Sequence, residues 1–320
     1  MWPTRACKVN GRCRVARTLL TYHLNALAPF GVWYSRKQKT RTPMTLLQIL
    51  ILAVIQGSAE LLPISSSAHV IVAEKLMGLD PTSPQMTLLL VMLHTGTMFA
   101  VIAYYWRSWR ASFFDSPQAL KTHTLNLVIA TAITGVVGLL LLQLIKRVVM
   151  HNAPGFEIEH LFGDARLMAA SLASAGILII VSARFAERDR DVSAYSAAWI
   201  GAVQGLCLPF RGFSRSGATI STGLALGIGR MRAEEFSFAL AVVLTPAVIA
   251  REVWRLLKSS DLTLAGGLVH ALLPGLMGMA LSFVAGLLAL RWLSRWLENG
   301  RWHLFGGYCL LASLGVLWIG

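Results

Sequence analysis

Long apolar stretches, continuous rather than alternating, make up most of the chain after residue 43. Several of them approach the roughly 20 apolar residues that a helix needs to cross the hydrocarbon core of a bilayer. The strongest predicted spans are 86–106, 125–145, 168–183, 236–250, 266–290 and 302–320. Because a transmembrane strand would alternate apolar and polar residues, the pattern favours helices over a β-barrel.

Two further segments, 44–77 and 195–229, are long enough to enter and leave a membrane but are polar in the middle. Irregular backbone at membrane depth is tolerated only where protein or a water-filled cavity covers it. We therefore predict that these segments form re-entrant hairpins or broken helices. The expected fold is an all-α polytopic membrane protein with two re-entrant segments and about six full spans.

The polar middles of these two segments resemble each other. Residues 56–69 and 204–217 each contain Gln-Gly, then a proline, then Ser-x-Ser before a small residue. Broken hydrophobic segments in matching positions of two halves are typical of an inverted repeat with a binding site near the membrane midplane. The sequence thus predicts a single transmembrane domain, 44–320, built as a two-fold inverted repeat with halves at about 44–183 and 195–320.

Composition supports a membrane protein and separates off the N-terminal residues. Only 14% of residues are charged, against about 25% in a soluble domain. Residues 1–43 hold nine lysines and arginines and no acid, within a net charge of +14. Such a tail could bind a lipid surface or nucleic acid. We expect instead a disordered basic extension, or sequence upstream of a natural start at Met44, and no nucleic-acid partner.

Short basic loops occur along the whole membrane domain. The positive-inside rule needs an asymmetry between the two sides of the membrane. Because the basic loops show no decisive asymmetry in the linear sequence, the sequence alone does not determine the orientation.

Glu60 is the only carboxylate before residue 74. A charge at membrane depth is costly and usually faces a cavity where it has a function. Gln56 lies four residues earlier, on the same helical face. A carboxylate and an amide oxygen suit a hard cation such as Mg²⁺, and a carboxylate can also act as a base. The alternative is that Glu60 caps the helix beginning near Ser65 or is held by a buried donor.

Ser66 and His69 are three residues apart. If the chain is helical there, they would share a face and could hydrogen-bond. A serine hydroxyl is a weak nucleophile until a base takes its proton, and imidazole is suited to that task. We therefore predict that Ser66 is a nucleophile and His69 its base or acid. A structural histidine is the alternative for His69. His94 is a weaker candidate, which helix packing explains equally well.

The second polar segment adds arginines to the same design. Arg211 and Arg215 are the only charges between residues 192 and 229. Arginine binds phosphate bidentately and stays ionised, and serines at a helix start accompany an anion-binding N-terminus. Snorkelling to the interface is the alternative, and it fits Arg211 better. The predicted substrate-binding residues are Ser65, Ser214, Arg215, Ser216, Gly217 and Arg211. Together with Glu60, this set matches a phosphate or pyrophosphate ester.

The two motifs together resemble the undecaprenyl-diphosphatase family, the bacitracin-resistance membrane phosphatases. The family pattern Glu/Gln-xxx-Glu, then Pro-x-Ser-Ser-x-x-His, is matched by residues 56–69, and Pro-Gly-x-Ser-Arg-Ser-Gly-Ala-Thr is matched by residues 211–219. The resemblance covers roughly residues 44–320. Gln56 stands in place of glutamate in the first motif, which the family allows but which weakens a two-carboxylate metal site. Arg211 replaces the proline of the second motif.

The resemblance implies hydrolysis of undecaprenyl diphosphate to undecaprenyl phosphate and inorganic phosphate, which recycles the lipid carrier for peptidoglycan and confers bacitracin resistance. It implies Mg²⁺ or Ca²⁺, bacterial inner-membrane localisation and a site facing the periplasm. By motif, Glu60 would act in metal binding or acid–base chemistry with help from Gln56. Ser66 would be the nucleophile, His69 its base or acid, and Arg215 the diphosphate clamp.

A transporter or flippase for prenyl-phosphate lipids is the main alternative, because inverted repeats with broken helices are a transporter architecture. The type-2 phosphatidic-acid phosphatase family is excluded, since Ser221 stands where its second motif needs a histidine. We expect polyprenyl diphosphate and membrane lipids as partners. A homodimer, the identity of the metal, and water in place of Ser66 as nucleophile are left open.

Overall fold

The computed structural model describes residues 44–80, 83–149, 164–185, 188–210, 212–258 and 267–319. Within these ranges the chain is helical and contains no β-strand. The predicted all-α class is therefore confirmed. The basic extension 1–43 and Arg211 lie outside the described residues, so the predictions made for them stay predictions.

Ten α-helices occupy the described ranges, in two series of five. The first series is α1 (Leu46–Leu61), α2 (Ser66–Leu76), α3 (Pro84–Phe113), α4 (Pro117–Leu144) and α5 (Ala165–Ser182). The second is α6 (Ala194–Cys207), α7 (Arg215–Ala225), α8 (Arg230–Lys258), α9 (Gly267–Glu298) and α10 (Trp302–Ile319). A π-helical turn, Ile145–Val149, extends α4. In each series the first two helices are short, the next two are long and the fifth is of intermediate length, as expected for two related halves.

Helices α3, α4, α5, α8, α9 and α10 are the six in the described chain that are long and apolar enough to cross a membrane. By contrast, α1 has 16 residues and measures about 24 Å, which is less than the roughly 30 Å of a bilayer core. The remaining helices, α2, α6 and α7, are shorter still. The chain is thus a multi-pass membrane protein with the six spans and two broken segments that the sequence predicts.

Local sequence determines where several helices begin. Thr45 and Gln48 form a reciprocal capping box at the start of α1, and Ser193 begins a similar box at α6. Ser83 and Ser116 each cap a helix that has proline in its first turn. These caps satisfy N–H groups that have no partner inside the helix. They explain why α3 and α4 start before the apolar runs from which the spans were predicted.

The first hairpin, α1–α2, enters and leaves at one end of the bundle. Ile49 from the start of α1, Ala73 from the end of α2 and Met86 from the start of α3 belong to one buried cluster. Lys75, near the end of α2, donates a 3.0 Å hydrogen bond to the carbonyl of Ile319 at the end of α10. We call this end of the molecule face A.

The second hairpin, α6–α7, enters and leaves at the other end. The backbone N–H of Arg190, before α6, donates to the carbonyl of Gly227, after α7, at 3.1 Å. The indole of Trp302, which begins α10, donates to Ser221 Oγ near the end of α7 at 3.3 Å. Because α10 runs from here to face A, this end is the opposite face, face B. Hairpins from opposite faces are consistent with the predicted inverted repeat.

Each hairpin packs against a spanning helix of the other half, α1 against α9 and α6 against α4. Glycines allow the close approach. A Cβ on Gly57 would lie 2.7 Å from the backbone oxygen of Ser282, and one on Gly201 would lie 2.3 Å from the backbone oxygen of Ala130. This cross-packing holds the broken point of each hairpin inside the bundle.

Candidate active site

The broken points of the two hairpins meet at one pocket. From the first half it is lined by Ala59, Glu60, Ser65, Ser66 and Ser67, and from the second by Gln204, Cys207, Leu208, Phe210, Phe213, Ser214, Arg215 and Ser216. Its volume of about 200 Å³ is below the roughly 300–1,000 Å³ of pockets that enclose drug-sized ligands. The pocket therefore suits a small polar headgroup, with any long chain left outside.

Glu60, in the last turn of α1, is the centre of the polar contacts. Arg215 Nη2 donates to Glu60 Oε1 at 3.0 Å. Ser66 Oγ donates to Oε2 at 2.5 Å, and Gln56 Nε2 donates to the same oxygen at 3.3 Å. The side chains of Glu60 and Arg215 are only 19% and 26% exposed, so water screens this ion pair weakly. Four residues singled out from the sequence are thus brought together across the two halves.

His69 makes a separate pair with Tyr308. Its Nδ1 lies 2.7 Å from the carbonyl oxygen of Ser65, which can only accept, so Nδ1 carries a hydrogen and donates. In the neutral ring Nε2 is then the acceptor, and the Tyr308 hydroxyl donates to it at 2.7 Å. The two rings are stacked, with centroids 5.6 Å apart. The hydrogen bond expected between Ser66 and His69 is replaced here by the bond from Ser66 to Glu60.

The turn into α2 is strained at Ser65, whose φ is +67°. A non-glycine residue in this region costs about 1–3 kcal/mol, and such residues cluster at functional sites. The unusual backbone directs the Ser65 carbonyl toward His69. The Ser65 hydroxyl lies 3.3 Å from the hydroxyl of Ser67. The turn therefore fixes the histidine and leaves the start of α2 at the pocket.

The second hairpin reaches its helix through Gly212, with φ +104°. Ser214 then caps α7 by accepting a 3.2 Å hydrogen bond from the N–H of Gly217. Ser216 Oγ donates at 3.3 Å to the carbonyl of Leu62 in the first hairpin. Ser214 and Ser216 are buried and line the pocket. These contacts place the N-terminus of α7 at the pocket but leave the substrate-binding roles of these residues as predictions.

Two site residues were underestimated from the sequence. His94 Nδ1 donates to the carbonyl of Leu90 at 2.8 Å, and its Nε2 lies 3.8 Å from Glu60 Oε2. Tyr308 received no role because it lies in an apolar span far along the chain. A hydroxyl inside such a span is the signal that could have found it, since a hydroxyl at membrane depth needs a hydrogen-bond partner within the protein.

The oxygen ligands at the pocket suit a divalent cation that is held partly by the substrate. Among the described residues no three or more His, Cys, Asp and Glu side chains group as a metal site. Mg²⁺ is commonly bound by one or two carboxylates together with substrate phosphates, and Ca²⁺ also accepts amide oxygens. Glu60 supplies the carboxylate. Gln56, the second ligand predicted from the sequence, turns its amide nitrogen toward Glu60.

Comparison with known proteins identifies the family of the chain. The family model described as "Bacitracin resistance protein BacA" matches residues 49–315. The chain belongs to the BacA family. The family membership predicted from the two motifs is therefore confirmed, and the match covers nearly all of the described residues.

Three similar proteins carry names that agree with one another. "Undecaprenyl-diphosphatase 2" of Acinetobacter baylyi is 63% identical over 278 residues, covering 86% of this chain and 98% of the relative. "Undecaprenyl-diphosphatase 1" of Burkholderia pseudomallei is 36% identical over 293 residues, covering 86% and 96%. "Undecaprenyl-diphosphatase" of Desulfosudis oleivorans is 34% identical over 300 residues, covering 86% and 98%.

Proposed function

We propose that this BacA-family chain hydrolyses undecaprenyl diphosphate to undecaprenyl phosphate and inorganic phosphate in the bacterial inner membrane. The activity would recycle the lipid carrier for peptidoglycan synthesis and confer bacitracin resistance. Relatives that carry the name undecaprenyl-diphosphatase support the phosphatase role. The observation that carries the proposal is the contact of Glu60 with Arg215 and Ser66 in a headgroup-sized pocket.

In the first step Ser66 Oγ attacks the terminal phosphorus while Glu60 Oε2 takes the hydroxyl proton. The bond from this phosphorus to the bridging oxygen breaks, and undecaprenyl phosphate leaves with the electron pair. The 2.5 Å hydrogen bond from Ser66 to Glu60 supports this assignment of the base. Arg215, shared between Glu60 and the substrate, would stabilise charge on the phosphoryl oxygens.

In the second step water attacks the phosphoserine. Glu60 returns its proton to Ser66 Oγ as the bond from phosphorus to Oγ breaks. Inorganic phosphate leaves as H₂PO₄⁻, carrying the oxygen and both hydrogens of the water. His69, held by Ser65 and Tyr308, would orient this water or donate a hydrogen bond to the departing group. If water attacks the diphosphate directly, Glu60 serves as its base instead.

A divalent cation, Mg²⁺ or Ca²⁺, is proposed as cofactor. Glu60 would hold it with a glutamine amide oxygen, a role that the sequence assigns to Gln56, and the substrate would add phosphate oxygens. When bound, the cation would neutralise negative charge on the diphosphate.

We propose that face B lies in the cytoplasm. Described basic residues near face B are Arg107, Arg110, Lys121, Arg184, Arg188, Arg190, Arg230, Arg232, Arg291, Arg295 and Arg301. Those near face A are Lys75, Lys146, Arg147, Arg166, Arg251, Arg255 and Lys258. The excess of arginine near face B supports a cytoplasmic location by the positive-inside rule. Face A would then be periplasmic, and we propose, from the family resemblance, that the substrate reaches the pocket from that side.

Phosphate release from undecaprenyl diphosphate by purified protein, with Mg²⁺ or with EDTA, tests the function. We expect cation-dependent release that falls at least about 100-fold in Glu60→Ala and Arg215→Ala. Asp115→Ala and Arg184→Ala, at exposed positions away from the pocket, serve as charge-matched controls and should retain activity. No release by well-folded wild-type protein would reject the phosphatase proposal.

Lipid transport is a second candidate function, because hairpins that enter from opposite faces also occur in transporters. Hydrolysis needs Glu60 and His69 for its chemistry, whereas transport needs mainly binding groups. Transfer of a labelled undecaprenyl phosphate between leaflets of proteoliposomes by Ser66→Ala would support transport. If wild-type protein and Ser66→Ala both fail to move the label, this candidate is rejected.

A further inference from the structure

Gln204 lines the pocket and carries an unpaired side-chain oxygen. The residue is 1% exposed and lines the cavity shared by Glu60 and Arg215. Its Oε1 is buried and has no hydrogen-bond partner among the described residues. A buried carbonyl left unsatisfied costs about 1–3 kcal/mol, and such groups call for an explanation such as a bound ion. The unpaired oxygen therefore indicates a ligand at this position.

The hydrogen-bond network determines which atom of the Gln204 amide is left unpaired. Thr134 Oγ1 lies 2.7 Å from the carbonyl of Ala130 and 2.9 Å from that of Gly201. Both carbonyls only accept, so they use the single hydrogen of the hydroxyl. Thr134 Oγ1 must then accept from Gln204, whose Nε2 lies 3.2 Å away. Exchanging the amide nitrogen and oxygen would place two acceptors face to face, so Oε1 is turned away from Thr134.

The backbone around Gln204 holds the amide in this place. A Cβ on Gly201 would lie 2.3 Å from the backbone oxygen of Ala130, and one on Gly205 would lie 2.9 Å from the backbone oxygen of Thr134. These two glycines allow this part of α6 to pack closely against α4. Because the amide is anchored through Thr134 on a closely packed helix, its oxygen is a preorganised ligand rather than a mobile side chain.

Gln56 occupies the corresponding place in the first half but is oriented differently. Its Nε2 donates to Glu60 Oε2 at 3.3 Å, and it is not among the described residues that line the pocket. The pocket-lining glutamine with an unpaired amide oxygen therefore comes from the second half. This difference could not be read from the sequence, in which both glutamines precede a glycine.

We propose that Gln204 Oε1 is a ligand of a divalent cation bound beside Glu60. An amide oxygen, a carboxylate and serine hydroxyls are donors that Mg²⁺ and Ca²⁺ prefer. A phosphate oxygen is itself an acceptor and gains nothing from a carbonyl oxygen, so the diphosphate is a poor direct partner. The cation would be held by both halves of the protein. The inference depends on the proposed function for one point alone, which is the role of the cation in hydrolysis.

Mn²⁺ binding tests the inference without measuring activity. Purified full-length protein is titrated with Mn²⁺ and followed by electron paramagnetic resonance, with and without inorganic phosphate. We expect Gln204→Met, which removes the carbonyl, to weaken Mn²⁺ affinity at least about 10-fold. Gln204→Glu keeps an oxygen for the cation and adds charge but places a second oxygen against Thr134 Oγ1, so its affinity should fall less than that of Gln204→Met. Gln143→Met makes the same exchange at an exposed position on α4 and should not change the affinity.

Other outcomes would overturn the inference. Wild-type affinity in Gln204→Met together with a raised KM would assign the oxygen to a substrate hydroxyl or a water. Loss of affinity and a lower Tm in both Gln204 variants would assign the residue to packing. Absence of Mn²⁺ binding by wild-type protein that still releases phosphate would reject the cation ligand but retain the phosphatase. Gln204-dependent binding without phosphate release would retain the ligand and reject the phosphatase.

Discussion

At the scale of single residues, the site depends on the three donors that converge on Glu60. Arg215, Ser66 and Gln56 all donate to its two oxygens. Removing one partner of a part-buried charge pair leaves the other uncompensated. Isosteric variants are therefore more informative than truncations, because they change the chemistry while preserving the packing.

Replacing Glu60 by glutamine keeps the shape of the side chain but removes the base and the charge facing Arg215. We expect kcat to fall by about 10²–10⁴-fold, the usual contribution of a general base. Steady-state phosphate release at saturating substrate measures this change. The conservative variant Glu60→Asp should retain more activity than Glu60→Gln. Equal activity of wild type and Glu60→Gln would show that Ser66 is activated by another group.

Removing the Tyr308 hydroxyl tests whether His69 needs its partner. Tyr308→Phe keeps the stacked ring but loses the donor to Nε2. We expect kcat to fall about 10-fold, a modest change because the histidine is still held by Ser65. KM should change little. Tyr195→Phe, at an exposed position at the start of α6, makes the same exchange away from the site. A selective rise in KM would instead place Tyr308 in substrate binding.

At the scale of helices, glycine contacts couple each hairpin to a spanning helix of the opposite half. Short re-entrant helices make few backbone hydrogen bonds of their own and depend on tertiary packing. Gly57 on α1 and Gly201 on α6 remove the Cβ that would hold α9 and α4 at a distance. The precision of the pocket thus depends on residues outside it.

Gly201→Ala should destabilise the protein, because its Cβ would lie 2.3 Å from the Ala130 backbone oxygen. Overpacking of this kind costs about 1–3 kcal/mol. We expect a lower Tm and reduced activity in detergent-purified protein. Gly135→Ala on α4 is the matched control, because nothing lies within 4 Å of a Cβ there. It should leave Tm unchanged or slightly raised, since alanine favours helix. Similar Tm losses in both variants would contradict the close-packing argument.

At the scale of the whole molecule, the site exists only when the two halves are assembled. The ion pair between Glu60 and Arg215 and the hydrogen bond from Ser216 to Leu62 both cross between the halves. Hairpins that enter from opposite faces bring these groups together inside the bundle. The same arrangement divides the ends of the spanning helices between face A and face B.

The proposed orientation predicts which face is labelled from outside the cell. In a Cys7→Ser, Cys13→Ser background, cysteine is introduced at exposed Asp80 after α2 or at exposed Asp115 before α4. We expect a membrane-impermeant maleimide to label Asp80→Cys on intact spheroplasts, and to label Asp115→Cys only after permeabilisation. The reverse pattern would place face A in the cytoplasm.

The sequence by itself determined the membrane class, the spans, the broken segments and most of the charged groups of the site. These features follow from local physics. Continuous apolar runs set the spans, and serine or threonine caps set several helix starts. A carboxylate such as Glu60 or an arginine such as Arg215 is so costly inside a membrane that its presence alone indicates a site.

Only the tertiary structure decided which of these groups are paired. Ser66 contacts Glu60 rather than His69, and Tyr308 joins His69 from the last helix. Gln204 rather than Gln56 lines the pocket, with its amide oxygen left unpaired. Partners such as His69 and Tyr308 are 239 residues apart in the chain, so no local pattern links them. The choice between two similar glutamines depends on neighbouring donors and acceptors, and helix packing alone puts these within reach.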